Sequence, residues 1–250
     1  MLKKRIIGNI IVKDNIAVQS FSYRDYLPIG KPEIVLENLD NWGVDEIAIT
    51  VIDREDNGPD LKLLEKINKY KITTPLIYGG GIKTKDEANE VISLGVERIM
   101  LDSIIYEYPD NLPEIYNELG SQALLLSLPI ISEEKGIFFY NYKKREKLKD
   151  LNINKILDEK FFSEIVLIDV NGEGGYLGFD KLILNYMKEL TSIPFITFGG
   201  ITTTRDIKNC LGDEAISAVM IGNSLNYKEN KIYHLKKNIQ ESWLRKHNLK

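Results

Sequence analysis

Eight short apolar runs, each followed by a longer stretch with helical spacing, constrain this chain more than any other feature. The runs cover residues 5–12, 46–52, 75–79, 98–102, 122–128, 164–169, 194–198 and 218–222. Most are continuously apolar, the pattern of parallel strands covered by helices rather than of strands with one wet face. The helical stretches fall near 32–42, 59–70, 85–94, 110–119, 151–161, 179–190, 204–211 and 230–246. Thr84-Lys85-Asp86-Glu87 reads as a capping box opening the third of them, and Gly95 and Gly212 read as helix stops. Eight alternating strand–helix units predict an α/β chain closed into a (β/α)8 TIM barrel. A length of 250 residues suits one such domain over 1–250.

Two stretches interrupt the rhythm. Residues 14–31, with Tyr23, Tyr26, Pro28 and Gly30, read as a long loop after the first strand. Residues 130–150 follow the fifth strand, read as a β-hairpin through Ile137–Tyr142, and end in the charged run Lys143–Lys149. Both follow strands, on the face where barrel enzymes carry their sites.

The chain also repeats itself. Tyr78-Gly79-Gly80-Gly81-Ile82 before Lys83-Thr84-Lys85-Asp86 matches Phe198-Gly199-Gly200-Ile201 before Thr203-Thr204-Arg205-Asp206, with Asp86 and Asp206 120 residues apart. Ile99-Met100-Leu101 and Val219-Met220-Ile221 keep the same spacing, so the barrel is expected to consist of two half-barrel repeats. Glycines after a buried strand let backbone approach a ligand, and a helix start just beyond aims free amides at an anion. Gly80 and Gly81 with Ser103, and Gly199 and Gly200 with Asn223 and Ser224, are therefore candidate phosphate sites; the alternative is that these glycines only make tight turns.

Composition narrows the chemistry. A 43% hydrophobic content supports a sizeable core, and a net charge of −4 argues against general nucleic-acid or membrane-surface binding. The one cysteine, Cys210, allows no intramolecular disulfide or cysteine metal cluster, which fits a reducing compartment. The two histidines, His234 and His247, lie in the last basic segment, so acid–base work falls to carboxylates, lysines, tyrosines or the cysteine. No cofactor or metal is expected. The apolar run after Lys3-Lys4-Arg5 is too short for a signal peptide or a membrane span, and the chain reads as cytoplasmic.

Met1-Leu2, Lys4-Arg5-Ile6-Ile7, Val12-Lys13-Asp14, Gly43-Val44-Asp45-Glu46, Gly79–Ile82, Gly120-Ser121-Gln122-Ala123, Gly178-Phe179-Asp180 and Pro194 through Gly200 occur in order, with spacing that resembles the cyclase subunits of imidazole glycerol phosphate synthase over essentially the whole chain. The resemblance implies a barrel that receives ammonia from a glutaminase at its N-terminal face. At the C-terminal face, two aspartates would act as acid and base on a bisphosphate substrate. The matching positions here are Ile11 and Pro129, neither of which transfers a proton. An aspartate expected after the second strand is Val51, an asparagine after the fourth is Asp102, and an Asp-Arg-Asp-Gly-Thr segment is Asn171-Gly172-Glu173-Gly174-Gly175. The family's ring of charges that gates ammonia corresponds to Arg5, Glu46, Arg98 and Glu164, and an acidic glutaminase contact to Glu97.

Loss of both proton-transfer groups beside retention of the ring implies a non-cyclising homologue that docks and activates a glutaminase. It would pass ammonia through the barrel to an ATP-dependent sugar amidotransferase at the C-terminal face, for an acetamidino sugar. The alternatives are an active cyclase with a relocated pair, drawn from Asp14, Lys13, Asp53, Asp102, Asp169 and Glu173, and a phosphosugar-binding or scaffolding barrel. Tyr23, Tyr26, Tyr140 and Tyr142 in the two insertions are candidates for stacking on a sugar or a partner.

Overall fold

The computed structural model describes residues 3–54, 57–142, 144–148, 151–226, 231–239 and 241–245. Among them, the strands are β1 (Arg5–Lys13), β2 (Ile16–Phe21), β3 (Asp25–Gly30), β4 (Glu46–Val51), β5 (Leu76–Gly79), β6 (Arg98–Leu101), β7 (Leu124–Glu133), β8 (Gly136–Asn141), β9 (Glu146–Lys147), β10 (Glu164–Asp169), β11 (Phe195–Phe198) and β12 (Ile216–Ile221). The helices are α1 (Pro32–Trp42), α2 (Leu61–Ile67), α3 (Lys85–Ser93), α4 (Ile104–Glu107), α5 (Leu112–Leu119), α6 (Ile153–Asp158), α7 (Lys181–Leu190), α8 (Thr204–Leu211) and α9 (Lys231–Ile239).

Eight of the strands pair in parallel in the order β1, β4, β5, β6, β7, β10, β11, β12, and β12 returns to β1. This is the closed (β/α)8 barrel predicted from the alternation. Leu36, Leu64, Val91, Ile115 and Ile183 fill the layer between strands and helices. A second cluster, with Ile7, Ala48, Ile77, Leu125, Val166 and Ile196, fills the barrel interior.

Residues 14–31 are not a loop. Asp14 and Asn15 have φ of 50° and 61° and join Lys13 directly to Ile16, the two-residue turn whose twist suits a hairpin. β1 thus runs on into the antiparallel ribbon β2–β3. The expected second hairpin forms from β7 and β8, but its first arm is the fifth barrel strand itself, continuous through Pro129 to Glu133. That strand begins at Leu124 rather than at 122, because residues 121–123 make a 3-10 turn. Several helices are shorter than expected, and α4 is an extra single turn before α5. The last helix covers Lys231–Ile239 of the expected 230–246; residues 230, 240, 246 and His247 lie outside the described residues, as do Met1, Leu2, Lys143 and Lys149.

The repeat is closer in the loops than the sequence spacing suggests. Thr84 caps α3 with Glu87 in a capping box, and Thr203 caps α8 with Asp206 in another. The structural partner of Asp206 is therefore Glu87 and not Asp86, and the loops repeat at 119 residues while the following strands repeat at 120. Removing one cap tests its contribution: Thr203→Ala is expected to destabilise the protein by about 1 kcal/mol in urea unfolding.

Candidate functional site

At the N-terminal mouth, four charges from four strand starts meet. Arg5 Nη1 lies 3.1 Å from Glu46 and Nη2 2.5 Å from Glu164; Arg98 Nη2 lies 2.7 Å from Glu164, and Nη1 3.7 Å from Glu46. All four side chains are at most 15% exposed. Ser217 and Ser163 complete the ring: the Ser217 hydroxyl donates to Glu164, and Arg98 Nη2 donates to Ser163 at 2.9 Å. The two acids differ. Burial pushes Glu164 up, but Arg5, Arg98 and Ser217 together outweigh it and hold it below the ordinary carboxylate value. Burial raises Glu46 beyond what the same arginines offset, and its Oε2 has no hydrogen-bond partner. Glu97 is exposed on the same rim, beside Arg98. Next to the ring, Lys236 reaches Asp45 at 2.7 Å in a buried pair, and Asp45 also accepts from the Ile6 amide.

At the C-terminal ends, Ile11 is buried inside the barrel and Pro129 is buried in the β7–β10 ladder opposite Ile168. Both positions carry packing, not proton transfer. The expected phosphate residues divide between two unequal spaces. Gly80, Gly81 and Ser103 border a cavity of about 310 Å³, together with Val51, Asp102 and Tyr142. Gly199, Gly200, Asn223 and Ser224 border a niche of only about 20 Å³, room for about one water. Asn223 is already engaged there, its side chain exchanging hydrogen bonds with the Ser20 backbone at 3.2 and 2.7 Å.

The glycines are required by backbone contact. Gly80 (φ 140°) and Gly199 (φ 118°) leave room for only 2.4 and 2.6 Å between an added Cβ and the carbonyl oxygens of Val51 and Asp169. This contact satisfies the tight-turn reading without requiring a ligand.

Two features of this face had no signal in the sequence. Glu173 is buried and clasps the β2–β3 ribbon, its carboxylate accepting from Ser20 Oγ and the Tyr23 amide, both at 3.1 Å, and its carbonyl from the Ser22 amide. Burial raises the Glu173 carboxyl to about 7, against the pull of those bonds. The clasp draws Tyr23 over the barrel interior, where its ring packs 4.3 Å from that of Tyr142. The two insertions thus meet above the axis. Tyr26 donates to the Tyr23 carbonyl, and Tyr140 packs on Ile131 and Val170.

Of the other carboxylates considered, Asp53 accepts from the Asp14 amide, and Asp169 braces its own loop through Gly172 and Asp180. Asp102 lines the larger cavity, and burial raises it to about 7. Among the described residues no group of three metal-ligating side chains converges, and no helix is long and apolar enough to cross a membrane.

Comparison with known proteins gives the same lineage as the architecture. A protein from Leptospira borgpetersenii, provisionally named the HisF subunit of imidazole glycerol phosphate synthase, is 29% identical over 237 residues, covering 91% of this chain and 92% of its own. A Vibrio vulnificus protein provisionally named hisF2 of the same enzyme is 30% identical over 205 residues, 80% of this chain and 75% of its own. The HisF subunit of Natranaerobius thermophilus is 26% identical over 245 residues, 96% and 97% of the two chains. The profile described as histidine biosynthesis protein matches residues 5–231, and the chain, a HisF-like barrel, belongs to that family.

Proposed function

We propose that this chain is a non-cyclising HisF-like subunit that docks and activates a glutaminase at the Arg5–Glu46–Arg98–Glu164 mouth and conducts ammonia through its barrel. The observation that carries the reading is the contrast between the two ends. A complete four-charge ring stands at one mouth, while apolar Ile11 and Pro129 occupy the positions where the family resemblance puts the acid and base. A general acid or base contributes typically ~10²–10⁴-fold, so a barrel without either has no ordinary route to cyclisation. Between the ends, apolar side chains make up much of the interior, and neutral ammonia crosses such a lining without a desolvation penalty like that of an ion.

The acceptor lies at the C-terminal face, where an ATP-dependent amidotransferase acting on a sugar, forming an acetamidino group, would receive the ammonia. Tyr176, Leu177 and Leu182 at the β10–α7 rim, and Leu27 and Ile29 on β3, are exposed there, which suits a docked protein.

A second reading, a cyclase with a relocated pair, draws on Asp102 and Glu173, two carboxylates near the C-terminal mouth that burial raises to about 7. One assay separates the two. Glutamine hydrolysis by the glutaminase of the same genome is expected to rise at least ~10-fold on adding this chain and to fall back with Arg98→Glu, with no cyclised product from the bisphosphate substrate and ammonium salts. Cyclised product whose formation is lost in Glu173→Gln would establish the relocated pair. No binding and no activation would leave a barrel without ammonia traffic.

A further inference from the structure

The cavity over the ends of β4, β5 and β6 contains a carboxylate without a counter-ion. Among the described residues, the Asp102 side chain has neither a hydrogen bond nor an ion pair, and the charge acting on it is the like charge of Glu107, which lines the same cavity. The rings of Tyr23, Tyr26 and Tyr142 form part of the wall. The Tyr142 hydroxyl is buried beside that of Tyr23.

The cations that border the cavity are mostly committed elsewhere. Arg54 donates to the carbonyls of Gly58, Asn57 and Pro59 at 2.9, 3.0 and 3.3 Å. Lys13 pairs with Asp14 at 2.6 Å and stands 5.7 Å from the centre of the Tyr26 ring, which therefore already faces a cation. Arg145 stands on the exposed hairpin at the rim.

An uncompensated carboxylate attracts a small cation through its charge, and neighbouring aromatic rings add to that attraction where a cation meets their faces. An anion at the same depth would meet two acids. The volume of about 310 Å³ is too large for a bare ammonium ion and falls at the lower end of the range for small-molecule sites. We propose that this cavity binds the protonated amine of a small molecule, with the Asp102 carboxylate as counter-ion and Tyr23 and Tyr142 as its aromatic walls. The site stands independently of glutaminase docking, since it uses none of the N-terminal ring.

A bound cation favours the ionised form of Asp102, whose carboxyl is otherwise held near 7 by burial. Binding is therefore expected to strengthen from pH 6 to pH 8. The other charged or titratable groups that face the site are Glu107, Lys13, Arg54, Arg145 and the tyrosines Tyr23, Tyr26, Tyr106 and Tyr142, with Glu173 behind Tyr23.

Calorimetric titration of the intact chain with propylammonium chloride at pH 8, against sodium chloride, tests the proposal. The expected result is saturable binding that weakens at least ~10-fold in both Asp102→Asn and Asp102→Ser, the loss of one close charge pair. Absence of saturable heat, or unchanged affinity in both variants, would overturn it. So would inorganic phosphate binding in the same cavity and tightening in Asp102→Asn, which would make the space an anion site.

Discussion

Replacing Glu164 with leucine is expected to lower the unfolding free energy by about 3–5 kcal/mol, the cost of removing one partner from a buried ion network. Glu164 accepts from Arg5, Arg98 and Ser217, so its loss leaves two guanidinium groups in the barrel mouth with Glu46 as their remaining counter-charge. Glu46 cannot compensate, because Arg98 stands 3.7 Å away from it and its Oε2 is unsatisfied. The corresponding change at Glu46 should cost less, since that acid has fewer close donors. The midpoint and slope of a urea transition would register both, and a loss under ~1 kcal/mol for Glu164→Leu would show that the ring is looser than its distances imply. The pH sign follows from the lowered carboxyl. The stabilisation is complete above the ordinary carboxylate range and is lost as pH falls through the folded value below that range.

Glu173 gives the opposite pH behaviour. Its carboxyl is raised from 4.5 to about 7, so the folded chain holds the proton more tightly than the unfolded chain. Stability is then greatest below the unfolded value, declines as pH rises through the interval between 4.5 and about 7, and levels off above it. The decline from this one buried group is on the order of 3 kcal/mol, or roughly 2–4 °C of melting temperature for each kcal/mol. Glu173→Gln keeps an oxygen for Ser20 Oγ and the Tyr23 amide but does not titrate. Its melting temperature is expected to track the wild type near pH 5 and to exceed it by several degrees at pH 8. A variant that melts lower than wild type at every pH would mean that the clasp needs the full carboxylate charge.

The barrel was legible because its signal is distributed. Eight buried runs had to become parallel strands, and the family resemblance pointed to the charges at the starts of β1, β4, β6 and β10 as one ring. The ribbon β2–β3 was not legible as strand because its register depends on two consecutive left-handed residues, Asp14 and Asn15, between runs too mixed to alternate cleanly. The clasp by Glu173 was invisible for a different reason. It joins residues about 150 apart through two irregular turns, and no local pattern encodes such a contact. The glycine loops were found correctly, yet their resemblance to each other concealed a difference in room. One opens on the larger cavity, and the other is closed by Asn223 and the 173–176 segment.

The way those loops close has a consequence for how such a barrel can change over evolutionary time. Gly80 packs against the carbonyl of Val51 and Gly199 against the carbonyl of Asp169, so each half fastens its loop to main chain. Valine in one half and aspartate in the other occupy equivalent places without disturbing the joint. A joint made between main chains tolerates different side chains at the same place, so this part of the C-terminal face can change its chemistry over an unchanged backbone contact.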